Sequence, residues 1–103
     1  MNNVLSTDLD SPSSTPYFLW DAPMTVADLK EKLALASEEE RIHLLGKILR
    51  EARDCDVWKF TTPQEVWKSW AKISKHLGRR IEFWKSLFEF WDREGLLDEK
   101  HAQ

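Results

Sequence analysis

The sequence predicts an all-α protein: a single small bundle of about four helices behind a disordered N-terminal arm. Three observations carry that expectation. Helix start signals recur along the chain, pairing an N-cap residue with an acidic residue three positions on. Apolar and aromatic side chains in the C-terminal half recur at helical spacing, and no segment shows the period-two alternation of a half-buried strand. A chain of 103 residues buries enough surface for one core, but not for a core plus a deep enclosed substrate cavity.

In chain order, residues 1–16 are rich in Ser, Asn, Asp and Pro and read as the disordered arm. A helical domain follows over 17–97, and 98–103 form a frayed tail. Tyr17-Phe18-Leu19-Trp20 is a short apolar clamp, extended, closed by Asp21 and Pro23. Thr25 with Asp28 opens a first helix over about 26–36, and Ser37 with Glu40 a second over about 38–53. Residues 54–61 are the one non-helical stretch of any length inside the body. Thr62, Pro63 and Glu65 combine an N-cap, a proline at the first helical position and a reciprocal glutamate. They open a third helix that runs to Leu77 and stops at Gly78. A fourth spans about 80–94 and ends at Gly95.

Plotted at about 100° per residue, the second helix gathers Ile42, Leu44, Leu45, Ile48, Leu49 and Ala52 into one apolar arc. Gly46 sits at its edge, where a neighbouring helix can approach closely. On the third helix Val66, Trp70, Ile73 and Leu77 form the inward stripe, with Trp67 beside it. Lys68, Lys72, Lys75 and Arg79 follow the i, i+4, i+7, i+11 pattern on the opposite side. Residues 57–80 hold six basic side chains against one carboxylate, within a chain of net charge −3. The fourth helix is apolar over half its circumference, wider than one core contact needs. Its Phe83/Phe90 edge is either sandwiched in the bundle or left for a partner or a second copy.

Composition and motifs narrow the chemistry. An acidic total argues against a generic polyanion binder. The single cysteine, Cys55, excludes an internal disulfide and a cysteine-based zinc site. Gly46, Gly78 and Gly95 are isolated, so no glycine-rich phosphate cradle exists. His43, His76 and His101 are scattered, without metal-ligand spacing on one helical face. Asp54 and Asp56 beside Cys55 raise rather than lower its thiol pKa, which makes it a poor nucleophile. The acidic run Glu38-Glu39-Glu40 sits in a helical first turn, where the helix dipole favours it. These residues predict no catalytic site, no cofactor and no metal. The absence of a long apolar run argues against a signal peptide or membrane span and makes the cytoplasm the default location.

Several stretches together resemble a group of small bacterial proteins: Tyr17-Phe18-Leu19-Trp20-Asp21; Glu38-Glu39-Glu40-Arg41 leading into Leu45-x-x-Ile48-Leu49-Arg50-Glu51-Ala52-Arg53; and Asp56-Val57-Trp58-Lys59-Phe60. Members of that uncharacterised group are often encoded beside nucleotidyltransferase-like toxins of abortive-infection or toxin–antitoxin type. The resemblance covers about residues 17–70 and its motifs are structural. It implies a protein partner, in an antitoxin-like or accessory role, and no enzymatic activity.

The functional expectation is therefore a non-catalytic protein-interaction module. Its candidate partner-binding residues are Tyr17, Trp20, Trp67, Lys68, Lys72, Lys75 and Arg79, and the product of a neighbouring gene is the expected partner. A homo-oligomer is compatible with the same surface. The alternative is a small nucleic-acid-binding regulator that uses the basic face of the third helix on phosphates.

Overall fold

The computed structural model describes residues 5–21 and 23–97. Most of them are helical, in the order β1 (Leu5–Ser6), β2 (Thr15–Pro16), α1 (Val26–Leu35), α2 (Glu38–Glu51), α3 (Asp54–Val57), α4 (Pro63–Lys68), α5 (Trp70–Ile73), two 3₁₀ turns (Ser74–His76 and Gly78–Arg80) and α6 (Ile81–Arg93). The tail over 98–103 lies outside the described residues.

The capping residues act where the sequence places them. Thr25 Oγ1 accepts from the Asp28 amide at 3.1 Å and the Asp28 carboxylate answers the Thr25 amide, a complete capping box for α1. Ser37 caps α2 through the Glu40 amide, and Thr62 caps α4 through the Glu65 amide. Glu65 does not reach back to its N-cap; its carboxylate accepts from the Thr61 hydroxyl at 2.9 Å. At the far end of α1, Arg41 donates to Leu33 O and Ala36 O and so satisfies terminal carbonyls.

Three expectations are corrected. The fold is predominantly helical but not strictly all-α: β1 and β2 form a parallel pair, with Leu5 opposite Thr15 and Ser6 opposite Pro16. The described part of the N-terminal arm, residues 5–16, is therefore a structured segment. It folds back on itself and lends its carbonyls to α1, Ser14 O accepting from the Val26 amide at 2.8 Å and Pro12 O from the Ala27 amide at 3.0 Å. Those two amides have no partner inside the helix, and Leu9, only 2% exposed, anchors the loop in the core. Secondly, the stretch after α2 is not wholly irregular, because Asp54–Val57 makes the single turn α3.

Thirdly, the helix expected over 63–77 is broken. Ser69 leaves helical geometry at φ −115°, ψ 24°, its amide bonding to Val66 O in the tighter i→i−3 pattern. Ser74 Oγ bonds back to Ala71 O, a local contact that competes with regular helix. The chain then tightens into the two 3₁₀ turns and reverses at Gly78, whose φ of +55° favours glycine.

α2 is the central element, packed on α1, α3, α5 and both 3₁₀ turns. Ile48 and Leu49 on α2 and Ala52 at its C-cap are fully buried with Val57, Val66, Ile73 and Leu77. Gly46 permits the closest approach, since a Cβ at that position would lie 2.6 Å from His76 Cβ. α6 closes the other side, where buried Trp84 donates its indole N–H to Leu49 O at 2.9 Å. Phe88, fully buried, is ringed by Trp58, Trp67, Trp70, Trp84 and Trp91 at centroid separations of 5.2–6.5 Å. The aromatic abundance thus serves the core first. Trp70, expected in the inward stripe, is only half-buried at the rim of this cluster.

Candidate interaction surface

The seven residues that the sequence singles out divide into two roles. Tyr17 is half-buried, and its hydroxyl is committed internally. It donates to Asp56 Oδ2 at 2.6 Å and accepts from the Arg53 amide at 2.7 Å. The Arg53 guanidinium lies over the Tyr17 ring and also donates to Asp56 at 3.1 Å. Burial raises the Tyr17 pKa, and donation to the Asp56 carboxylate raises it further. For Asp56, burial alone works against ionisation, but the hydrogen bonds from Tyr17 and Arg53 outweigh it and hold the carboxyl below its ordinary range. Trp67 likewise faces inward, stacked on Phe88 with 18° between the rings. Both side chains hold the fold together.

Trp20 is different. It is 61% exposed, the one tryptophan outside the Phe88 cluster among the described residues. Lys47 fixes its position: the ammonium lies 5.7 Å from the indole centroid and also pairs with Asp21. That side chain is only 11% exposed, a nearly buried strut beside a surface ring. The hydrogen bond from Lys47 holds the Asp21 carboxyl below its ordinary pKa.

One turn before Lys47 on the same side of α2 stands His43. The sequence leaves the histidines scattered, yet folding brings the His43 and His76 rings edge to face at 5.5 Å. Spacing could not show this, since the two lie on separate elements that meet only because Gly46 lets them. They line an open groove of about 960 Å³, with Glu38, Glu39 and Glu40 on one side and Lys72 and Lys75 on the other. Among the described residues, no group of three His, Cys, Asp or Glu side chains has the geometry to hold a metal ion.

Lys68, Lys72, Lys75 and Arg79 are all exposed, but the break at Ser69 splits them between α4 and the turns after it. Lys72 lies 3.4 Å from Glu38, so part of the strip's charge is answered within the chain. A continuous helix laid in a DNA groove, which the nucleic-acid alternative needs, is interrupted at that point. Cys55 is exposed, and its thiol donates to Asp56 Oδ1 at 3.9 Å.

A second apolar surface runs along α6. Phe83 and Phe90 are 45% and 47% exposed, with half-buried Leu87 between them. Arg80 lies over the Phe83 ring and Arg93 over the Phe90 ring. No helix among the described residues is long and apolar enough to cross a membrane. Comparisons with protein-family models, characterised proteins and solved structures find no match to this chain.

Proposed function

We propose that the chain is a non-catalytic protein-interaction module whose partner docks along the exposed face of α2. The observation that carries this reading is Trp20: a large ring standing in solvent and held there by a nearly buried lysine. Tryptophan is the residue most enriched among interface hot spots, and a ring already fixed loses little entropy on binding. From Trp20 the surface continues through Lys47 and His43 to His76 and Lys75, with Arg79 beyond. Lys75 and Arg79 are its cationic end and steer an acidic surface of the partner, an effect on encounter more than on affinity. Tyr17 and Trp67 support this face from within. The resemblance over residues 17–70 supplies a particular partner, a nucleotidyltransferase-type toxin encoded beside the chain, with this module in an antitoxin-like or accessory role.

The experiment is co-expression with the neighbouring gene product, with binding measured for the wild type and two variants. Trp20→Ala is expected to weaken association by about 30-fold or more, as for a central hot spot. Lys75→Glu with Arg79→Glu is expected to slow association and to flatten its dependence on salt. Failure of the wild type to bind the neighbouring product would remove the antitoxin reading. Binding that is indifferent to Trp20 would move the interface off this face.

A further inference from the structure

The histidine pair in the groove enters that reading only as surface, and its chemistry points to a ligand of its own. We infer that His43 and His76 together hold one divalent transition-metal ion of the zinc type. The ion would clip α2 to the turn Ser74–His76 and keep its outer coordination positions open to the groove. Imidazole is the side chain that such ions take most often.

Three observations carry the assignment. The backbone itself brings the two residues together, because Gly46 admits His76 Cβ to within 2.6 Å of where a Cβ of its own would stand. The ring centres are 5.5 Å apart, with 82° between the planes. Two imidazoles sharing a tetrahedral ion, each nitrogen at about 2.0–2.1 Å from it, hold their ring centres about 5 Å apart. The exposed His43 side chain can turn to close that difference. Lastly, among the described residues neither imidazole makes a hydrogen bond, so the ring nitrogens are not committed to the fold.

The surroundings set the charge. Glu39 and Glu40 precede His43 by four and three residues, so they flank it on one side of α2, and both line the groove. Across the groove Lys72 is answered by Glu38 at 3.4 Å, which leaves Lys75 as the cation opposed to a bound metal. Two carboxylates against one ammonium favour a cation here. Glu39 and Glu40 act through their field, since no third His, Cys, Asp or Glu among the described residues completes a ligand set with the pair. Resident zinc sites use three or four protein ligands. A two-histidine site with water in the other positions is weaker, with a dissociation constant on the order of 100 μM.

Calorimetric titration of the full chain with Zn²⁺, from about 10 μM to about 1 mM around that constant, tests the site. One ion per chain should bind. His43→Ala or His76→Ala alone should weaken binding by about 10-fold or more, because a chelate needs both rings. His43 is exposed, so its variant should fold as the wild type does, which circular dichroism checks. Cys55→Ser and His101→Ala, which remove the chain's thiol and its third imidazole, should leave binding unchanged. In NMR spectra zinc should shift the imidazole resonances of His43 and His76 together. No binding up to about 1 mM overturns the inference, and so does binding that survives the loss of His43. Two ions on the wild type, falling to one in each histidine variant, overturn it as well, since the rings would then bind separately. None of these results touches the α2 reading, because association with the neighbouring product is measured with a chelator present.

Discussion

The Tyr17 hydroxyl donates to the Asp56 carboxylate at 2.6 Å across 39 residues of sequence. That contact ties the apolar segment ahead of α1 to the turn that follows α2. Arg53 completes it from the same turn, with its amide to the hydroxyl and its guanidinium to the carboxylate. Asp56 is 6% exposed, so its charge stays in the fold only because these donors meet it.

Tyr17→Phe removes one donor from that buried carboxylate and should cost about 1–3 kcal/mol in denaturant unfolding. The pH dependence has a definite sign. The folded Asp56 pKa lies below its ordinary value of 3.8, so its stabilising contribution is fully present above that value and is lost as pH falls through the folded pKa. Acid unfolding of the Phe variant should therefore be less steep in this window. An unchanged acid profile would mean that the donors do not control Asp56.

Leu9→Ala tests the N-terminal segment. Removing this buried side chain should cost about 2–4 kcal/mol and release residues 5–16 from α1. Limited proteolysis should then cut within this segment while the helical signal is retained. Resistance equal to that of the wild type would place the anchoring elsewhere.

Phe88→Ala should be the most damaging of these changes, at about 3–5 kcal/mol. Five indoles surround that ring, so the near-ultraviolet circular dichroism should weaken more than the far-ultraviolet signal. A folded variant with native near-ultraviolet bands would show that the tryptophans pack without it.

Gly46→Ala sets helix propensity against packing. Alanine gains about 1 kcal/mol in a helix interior, but its Cβ would meet His76 Cβ at 2.6 Å, a contact at the root of the side chain that no rotamer relieves. Overpacking of this kind costs about 1–3 kcal/mol, so a net loss of thermal stability is expected. His76→Ala should not rescue it, because it keeps the offending Cβ. Rescue by that variant would place the clash in the imidazole instead.

Helix starts were legible in the sequence because capping is local chemistry. Thr25, Ser37 and Thr62 each satisfy amides within three residues of themselves, so their roles can be read without knowing the fold. The buried stripe of α2 and the positive φ at Gly78 follow from helical period and backbone sterics in the same way. The two-sided apolar character of α6 was equally readable, including the Phe83/Phe90 edge.

The remaining features depend on groups that meet across long separations. Residues 5–16 look like an arm by composition, yet Leu9 and a few backbone carbonyls fix them once α1 exposes its unpaired amides. Tyr17 and Trp67 have the residue types of an interface, and only the positions of Asp56 and Phe88 show that they face inward. His43 and His76 become neighbours because Gly46 lacks a Cβ. By itself the sequence determined where α1, α2 and α4 begin and which helix faces are apolar, since both depend on neighbours three or four residues away. Only the tertiary structure decided which aromatic rings remain in solvent, because that depends on which distant side chains reach each ring first.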